Sequence, residues 1–460
     1  MPSVRYGLIR LDIEDFLTAE SDWALEVLLD RLDGLHLPAS FGLVGEKVEA
    51  MAARGGLATL ARVGRHKAVG FHSATHSRHP TLAEELESLP YEAGVTRFVE
   101  REGPGVEAVR RRVAPPRYFT QPGANWVPHA AEALPHLGMA IYFSEAMNSY
   151  LVPLTHPVWL ADTLHFSPPV PTPLPFLHGL PWNLEQALAR LRAVPREIPE
   201  GGFFCVMMHP TELVTTRFWD AVNFGGGNTR HPLRPAPLRP LAERDAAVAA
   251  LTQYLEAAKA LDGVQWLDVV TVAERVERRR PQLLPWSVLD AHLERMGLYP
   301  LRTDGGQFSP AQLVWALAYF ACHPGRKEVV VPLVRAPRGW APGQAGQASE
   351  VSRREAVAAA EAWLEGELGP EGVELPRVWD GCPIEVWAAR WWAACRQPAT
   401  ALVSALPLPL TFLAYVREPE ALHWDWPIFA PDFRPYRLWL ETRRLAWTVA
   451  PVAWTSADRA

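Results

Sequence analysis

Short apolar runs alternate with longer amphipathic segments from the start of the chain to about Arg280, and this alternation constrains the fold more than any other feature. Apolar runs of four to eight residues are typical of buried strands. Strands are predicted at residues 6–11, 39–44, 67–71, 140–143, 202–208 and 264–270, and helices at 23–35, from 46 onward and at 245–261. Apolar strands separated by helices are typical of β/α units in a parallel sheet or barrel. We therefore expect an α/β fold for this part.

The length of the chain, 460 residues, predicts more than one domain. A single hydrophobic core usually stops growing near ~250–300 residues. The amino-acid composition also changes along the chain, because thirteen of the nineteen tryptophans lie from Trp286 onward. We predict two domains, residues 1–285 with the β/α fold and residues 286–460, which we expect to be mainly helical and rich in tryptophan.

Two apolar segments of the second domain start alike. Pro310 opens PAQLVWALAYFAC and Pro383 opens PIEVWAARWWAAC, and proline suits the first turn of a helix. The likeness predicts two helices and raises the hypothesis of a degenerate internal repeat. We interpret the aromatic stripes as surfaces that pack a helical domain. The alternative is a sugar-stacking face, to which Trp424 and Trp426 could belong.

The composition argues against several classes of protein. Hydrophobic residues make up 48% and charged residues 21%, which excludes a wholly disordered chain. The net charge is -6 and no Lys/Arg block is present, so a nucleic-acid partner is not expected. The four cysteines form no CxxC motif and are too few for a disulfide framework, which predicts reduced thiols.

The sequence also bears on localisation. The first residues, MPSVRYGLIRLDIEDF, meet acidic side chains by position 12 and lack the sustained apolar stretch of a signal peptide. No segment offers the roughly 18 uncharged apolar residues of a membrane helix. We therefore expect a cytoplasmic protein without a membrane span, and the oligomeric state stays open.

Two histidines follow the predicted strand at 67–71. If the segment HSATH is helical, the spacing of His72 and His76 places both imidazoles on one face, within reach of one divalent ion. Ser73 and Thr75 can bond the exposed backbone of the turn. The same spacing is common in proteins without a metal. Whether these histidines bind one therefore has to be judged from the residues at the neighbouring strand ends.

Two other predicted strand ends also carry polar side chains. The first strand ends in LDIEDF, and strand alternation puts Asp12 and Glu14 on the same side. An acidic helix N-cap is the alternative interpretation. His209 follows the apolar run 202–208. Because active-site residues of parallel β/α folds collect at the carboxyl ends of strands, the three strand ends together favour a metal site.

The order of these segments resembles the NodB homology family of polysaccharide deacetylases, also called carbohydrate esterase family 4. The resemblance covers roughly residues 5–275 and rests on LDIEDF, ASFGLVGEKVEAM, GRHKAVGFHSATH, FTQPGANWVPHAAEALPHLGM and VMMHP, in that order. It implies a distorted (β/α) barrel that holds a divalent metal, usually zinc, in one open site.

The resemblance also implies roles for individual residues. These are Asp12 as general base and His209 as general acid, Glu14 or Asp15 with His72 and His76 as metal ligands, and Gln121 and Trp126 as substrate-lining residues. Glu14 is the preferred carboxylate, because Ile13 stands directly after the base and Glu14 shares its side of the strand.

One departure from the family pattern concerns the base. An arginine commonly stands two residues before the Pro-Gly pair and pairs with the base aspartate, whereas this chain has Thr120 there. Arg117 lies three residues earlier, and whether it substitutes is open. The segment at 209–231, which contains Gly225, Gly226 and Gly227, is predicted to be a long loop over the strand ends. It either faces the substrate as a lid or packs on the second domain.

The function implied by the resemblance is that of a metal-dependent hydrolase. It would remove an acetyl or other acyl group from an N-acylated sugar or a related carbohydrate amide. Two alternatives are a non-catalytic glycan-binding protein on a decayed deacetylase fold, and an allantoinase-like hydrolase of a small cyclic amide.

Overall fold

The structure is a computed structural model that describes residues 4–123, 125–143, 156–169, 183–278, 280–303, 306–335, 349–366, 368–369, 372–374, 378–379, 382–396, 399–403, 406 and 426–455. Two compact units are present. The first comprises Met1–Pro157, Thr163–Arg275 and Tyr415–Leu438, and the second comprises Val158–Asp162, Val276–Ala414 and Trp439–Ala460. The contacts thus change from one unit to the other at Arg275, while the domain boundary at residue 285 stays a prediction.

The strands are β1 (Arg5–Ile13), β2 (Ser40–Leu43), β3 (Ala68–Phe71), β4 (Tyr118–Thr120), β5 (Ile141–Phe143), β6 (Val158–Leu160), β7 (Thr163–Phe166), β8 (Phe203–Met208), β9 (Phe224–Gly225), β10 (Asn228–Thr229), β11 (Val264–Leu267), β12 (Gln282–Pro285), β13 (Leu301–Thr303), β14 (Gly306–Phe308), β15 (Glu328–Val331), β16 (Val334–Arg335), β17 (Ser349–Ser352), β18 (Leu368–Gly369), β19 (Gly372–Glu374), β20 (Val378–Trp379), β21 (Cys382–Pro383), β22 (Thr400–Val403) and β23 (Ala450–Pro451).

The helices are α1 (Glu20–Leu35), α2 (Gly45–Ala53), α3 (Leu57–Val63), α4 (Leu82–Leu86), α5 (Tyr91–Arg112), α6 (Ala130–His136), α7 (Leu184–Glu197), α8 (Trp219–Asn223), α9 (Leu241–Lys259), α10 (Val269–Glu274), α11 (Trp286–Met296), α12 (Pro310–Cys322), α13 (Arg353–Gly366), α14 (Ile384–Cys395) and α15 (Tyr436–Leu445).

A parallel sheet organises the first unit. Its described strands follow the order β8-β1-β2-β3-β4-β5-β7, and β11 lies beside the amino-terminal half of β1. The Cys205 N–H of β8 donates to the carbonyl of Pro169, which follows β7, at 3.0 Å. Because the chain after β7 thus runs beside β8, the sheet curls almost into a ring. The expected distorted (β/α) barrel is confirmed.

Every strand predicted in this unit is present, with one end corrected. The run at 264–270 was expected to be a single strand, but β11 ends at Leu267 and α10 begins at Val269. The carboxylate of Asp268 accepts the Thr271 N–H at 2.8 Å and so caps that helix. An apolar run cannot by itself separate a strand from a buried helical turn, and the capping residue decides here.

The second unit contains a similar order of elements twice. The first copy consists of β12, α11, the β13–β14 hairpin, α12 and β15. The second consists of β17, α13, the β20–β21 hairpin, α14 and β22, with β18 and β19 inserted between α13 and the hairpin. In each copy the first and last strands pair antiparallel. The helices α12 and α14, whose sequences start alike, take the same place in the two copies. The hypothesis of an internal repeat is therefore supported by the topology.

Tryptophan side chains pack the helices of this unit. The rings of Trp363 on α13 and Trp391 on α14 are stacked with centroids 5.2 Å apart, and both are fully buried. Trp391 also donates its Nε1–H to the Ala356 carbonyl at 3.0 Å. These contacts support the interpretation of the aromatic stripes as packing surfaces. The expectation of a mainly helical, tryptophan-rich second domain is confirmed.

Two further sequence expectations have structural counterparts. Cys205, Cys322 and Cys395 are free thiols in the part of the chain that the structure describes. Across the described ranges, no helix combines the length and the apolar character that crossing a membrane requires.

Candidate metal centre

Glu14, His72 and His76 come together at the carboxyl ends of β1 and β3. Glu14 Oε2 lies 3.1 Å from His72 Nε2 and 2.9 Å from His76 Nε2. One ligand atom from each of the three residues lies within 4.8 Å of the others, and all three side chains are buried. A carboxylate oxygen and two imidazole nitrogens form a donor set that suits zinc with an open coordination position.

The two histidines reach Glu14 from a turn and not from a helix, which corrects the expected local structure. Ser73 has a φ of 72° and His76 a φ of 53°, both in the left-handed region. Ser73 Oγ accepts the N–H groups of Thr75 at 3.4 Å and His76 at 3.2 Å, as the sequence predicted for a turn at this point. The hydroxyl and the left-handed residues thus replace the helical geometry that we expected to align the imidazoles.

The far nitrogens of both imidazoles are also held. His72 Nδ1–H donates to the Thr120 carbonyl at 3.0 Å. His76 Nδ1–H donates to Ser77 Oγ at 2.8 Å, and Ser77 in turn donates to Asp220 Oδ2 at 3.1 Å. A proton fixed at Nδ1 directs the lone pair of the neutral ring at Nε2 toward Glu14. Such outer contacts are typical of histidines that bind metals.

Glu14 is oriented by a tryptophan from α8. Trp219 donates its Nε1–H to Glu14 Oε1 at 2.7 Å, so that Oε2 faces the two histidines. The same short helix supplies Asp220, which supports His76 through Ser77. The segment at 209–231, predicted as a long loop over the strand ends, therefore carries two residues that position the metal ligands.

The electrostatics of the group favour an anionic Glu14. Burial alone would raise the pKa of Glu14, but attraction to His76 and His209 and hydrogen bonds from His72 and His76 hold it well below its usual range. Burial likewise opposes the charged form of His76, yet Glu14 and Asp220 raise its pKa to about 10. A divalent cation would take the place of the positive charge that the protonated ring supplies.

Asp15, the alternative carboxylate ligand, does not join this group. Its Oδ1 accepts the N–H groups of Leu17 at 3.0 Å and Thr18 at 2.9 Å, and its Oδ2 accepts the Thr211 hydroxyl at 2.6 Å. Oδ1 thus holds the turn between β1 and α1, Oδ2 ties this turn to the segment after β8, and burial raises the pKa of this carboxyl. Of the two carboxylates that the sequence left open, the structure brings Glu14 to the histidines.

Asp12 lies next to the metal group and is paired with Arg10. The Arg10 Nη2 donates to Asp12 Oδ2 at 2.7 Å, and both residues are 2% exposed. The same oxygen lies 4.0 Å from His72 Nε2. Arg117, which the sequence left open as a partner of the base, points elsewhere and pairs with Glu274 at 3.2 Å. An arginine on the same strand therefore supplies the partner that Thr120 cannot.

His209 faces Asp12 from the end of β8. Its Nε2 lies 3.9 Å from Asp12 Oδ2, and its Nδ1–H points to Glu212 Oε2 at 3.3 Å. Burial disfavours the charged ring, but Glu14, Glu212 and Asp12 outweigh it and raise the pKa of His209 to about 9. The imidazolium form therefore persists at neutral pH. The ring of Phe218 packs edge-on against it, at 5.0 Å between centroids.

The two residues expected to line the substrate are buried. Gln121 accepts the Tyr142 hydroxyl at 2.9 Å and is 3% exposed. Trp126 is 0% exposed, and its ring packs against the rings of Tyr142 and His165. Burial of this degree is shared by Asp12 and His72. The substrate-lining roles of Gln121 and Trp126 both stay predictions.

Of the two tryptophans considered for a sugar-stacking face, one belongs to the described residues. Trp426 is partly exposed, and its ring is stacked on Phe218 with centroids 5.4 Å apart. Because Phe218 also contacts His209, this aromatic pair lies beside the predicted general acid. Trp424 lies outside the described residues.

Neither a family model nor a curated protein matches the chain. Among solved structures, the chain is similar to polysaccharide deacetylases. One is a probable polysaccharide deacetylase from Pseudomonas aeruginosa PAO1. The alignment with it covers 59% of this chain and 91% of that protein, with 12% sequence identity and a TM-score of 0.40. Another is a peptidoglycan N-acetylglucosamine deacetylase. The alignment with it covers 59% of this chain and 89% of that protein, with 12% sequence identity and a TM-score of 0.34.

The similar structures also include a protein without the family's activity. This protein is a carbohydrate esterase family 4 pseudoenzyme from Bacillus anthracis. The alignment with it covers 59% of this chain and 66% of that protein, with 15% sequence identity and a TM-score of 0.31. The similarity of this chain to these structures concerns the fold. Its chemistry has to be inferred from its own side chains.

Five supporting residues were not assigned from the sequence: Arg10, Ser77, Glu212, Trp219 and Asp220. Arg10 was detectable, because a charged residue two positions before Asp12 in an apolar strand has to share its buried side. Trp219 and Asp220 stood in a segment that the sequence singled out, yet no spacing rule connects that segment to Glu14 or His76.

Proposed function

We propose that this chain is a metal-dependent hydrolase that removes an acyl group, such as acetyl, from an N-acylated sugar or a related carbohydrate amide. The observation that carries the proposal is the arrangement of Asp12 and His209 around the Glu14, His72 and His76 group. A metal-ligand set, a general base and a general acid are together sufficient for metal-assisted hydrolysis of an amide.

Glu14, His72 and His76 would hold the metal, and zinc is the ion that best fits the two nitrogens and one oxygen. When bound, it would polarise the amide carbonyl and lower the pKa of a water molecule. Asp12 would accept the proton of a water molecule during attack on the carbonyl carbon. Asp12 Oδ1 has no hydrogen-bond partner among the described residues, while Oδ2 is held by Arg10, so one oxygen is left for this role.

His209 would complete the reaction as the general acid. The amide nitrogen has to leave with an added proton, because an amide anion is a poor leaving group. Glu14, Glu212 and Asp12 raise the pKa of His209 to about 9 in the metal-free chain, and Glu212 on its far nitrogen keeps the ring oriented. Transfer of the Nε2 proton to the nitrogen would release the free amine and the carboxylic acid.

The experiment that tests this function measures acetate released from N-acetylated chito-oligosaccharides by the metal-loaded chain. Asp12→Asn should lower kcat by about 100-fold or more, because asparagine cannot accept the proton. The matched control is Asp30→Asn, which changes an exposed carboxylate and should leave kcat unchanged. Wild-type protein that binds these oligosaccharides without acetate release would overturn the proposal in favour of a glycan-binding protein. Hydrolysis of allantoin instead would favour the cyclic-amide alternative.

A further inference from the structure

The second unit contains a cavity where its two repeats meet. The cavity has a volume of about 370 Å³. One side is lined by the start of α11 and the end of α12 in the first copy, and the other by the start of α13 and the end of α14 in the second. Equivalent elements of both copies therefore surround it. A volume of this size is in the range of small-molecule sites, about 300–1,000 Å³.

Positive side chains surround the cavity without a carboxylate among its lining residues. Arg326 and Lys327 follow α12, and Arg353 begins α13. Arg326 and Lys327 are exposed, and neither forms an ion pair with any residue in the described ranges. Arg353 donates its Nε–H to the Ala394 carbonyl at 3.2 Å, which fixes the guanidinium at the wall.

Aromatic rings line the cavity next to these charges. Trp286 is partly exposed and packs edge-on against Phe320, with ring centroids 5.3 Å apart. The Trp286 N–H donates to the Lys327 carbonyl at 2.8 Å, which holds the indole and the lysine side by side in the lining. The cavity thus combines an aromatic surface with neighbouring positive charge, a combination that suits a ring bearing an acidic group.

Helix dipoles give a simpler reason for positive charge at this place. Cations near the carboxyl ends of α12 and α14 stabilise those helices. A dipole, however, does not require a cavity between the copies, nor an exposed tryptophan in its wall. The dipoles therefore account for the charges but not for the cavity or its aromatic lining.

We propose that this cavity binds an anionic ligand in which a carboxylate or phosphate is attached to a ring, such as an acidic or phosphorylated sugar. The acidic group contacts Arg326, Lys327 and Arg353, and the ring packs on Trp286. This site is separate from the metal centre and does not depend on the proposed hydrolysis.

Isothermal titration calorimetry on the full chain at low ionic strength tests this proposal. The probes are three sugars that share one ring: N-acetylmuramic acid with a carboxylate, N-acetylglucosamine 6-phosphate with a phosphate, and neutral N-acetylglucosamine. At least one acidic sugar should bind more tightly than the neutral one. Preference between the carboxylate and the phosphate then identifies the source of the anion.

The charge variant R326A/K327A should weaken binding of the preferred acidic sugar by about 10- to 100-fold, because charged hydrogen bonds are lost. The control Arg295→Ala removes an exposed cation of α11 away from the cavity and should bind as the wild type does. Lys327→Glu provides a second test with one side chain changed. Equal affinity for acidic and neutral sugars, or unchanged affinity in both charge variants, would overturn the proposal. Acetate release should be the same in all of these variants.

Discussion

Arg10 and Asp12 form a buried ion pair two residues apart on β1. Both side chains point to the same side of the strand, and the pair joins Arg10 Nη2 to Asp12 Oδ2 at 2.7 Å. A carboxylate that accepts a proton in catalysis has to be held in one orientation, and a hydrogen-bonded guanidinium does this. Arg10 on β1 supplies a guanidinium partner for Asp12, although Thr120 on β4 stands where the family pattern has an arginine.

Replacing Arg10 by glutamine should lower kcat by about 100-fold, because Asp12 loses the contact that fixes its orientation. The metal content should stay that of the wild type, since the ion pair that is lost joins Arg10 to Asp12, which is not one of the three proposed ligands. Arg10→Lys keeps the charge and should recover part of the activity. Steady-state kinetics with parallel metal analysis checks this, and full activity in Arg10→Gln would show that the pair is dispensable.

Asp220 acts on the metal ligands through Ser77. In Asp220→Asn the acceptor charge is lost, so His76 is held less firmly and its nitrogen becomes a weaker ligand. Metal affinity should fall about 10- to 100-fold, as is usual when such outer contacts are removed. Competition with a chelator of known affinity measures the change. Asp30→Asn serves as the control, and equal affinity in the two variants would contradict the role of Asp220.

The turn between β3 and α4 is the element that sets the histidine geometry. Glu102 on α5 accepts the Ala74 N–H at 2.7 Å, which ties the middle of the turn to a long helix. Gly105 on the same helix lies close to the turn, since a Cβ added there would come within 2.7 Å of Ala74 Cα. The turn is therefore held between its own hydroxyl contacts and α5.

Glu102 predicts a dependence of stability on pH. Burial raises its pKa from 4.5 to about 7, against smaller opposing effects of Arg101 and Ala74. Between these values the folded chain keeps a proton that the unfolded chain has released, so the free energy of unfolding falls as pH rises through this window. The loss amounts to about 3 kcal/mol at most.

Glu102→Gln removes this titration while keeping an acceptor for Ala74. The variant should therefore lose less stability than the wild type between pH 5 and pH 8. Urea unfolding of both proteins at the two pH values measures the difference. Parallel declines in the two proteins would show that Glu102 does not titrate in this window.

The sequence predicted the elements well where one pattern had one structural meaning. The apolar runs ending at Met208 and Phe71 are strands as predicted, and their ends located His209 and His72. The HSATH turn was not predictable as a turn, because the spacing of two histidines is equally compatible with a helix. Its left-handed residues, Ser73 and His76, depend on tertiary contacts with α5.

At the scale of the whole molecule, the first unit could be predicted as a distorted barrel, and the second only as helical and rich in tryptophan. The path of the segment from His209 to Gly227 was not predictable, because contacts such as Trp219 to Glu14 join residues far apart in sequence. The repeat in the second unit showed in two similar helices, but the antiparallel pairing of its outer strands became clear only in the structure.

Elemental analysis of the chain purified without chelators shows whether Glu14, His72 and His76 bind a metal. We expect about one divalent ion per chain in the wild type and in Asp12→Asn, and little or none in His72→Ala and His76→Ala. Wild-type protein without a tightly bound divalent ion after incubation with zinc, or histidine variants that retain the ion, would contradict metal binding by these residues.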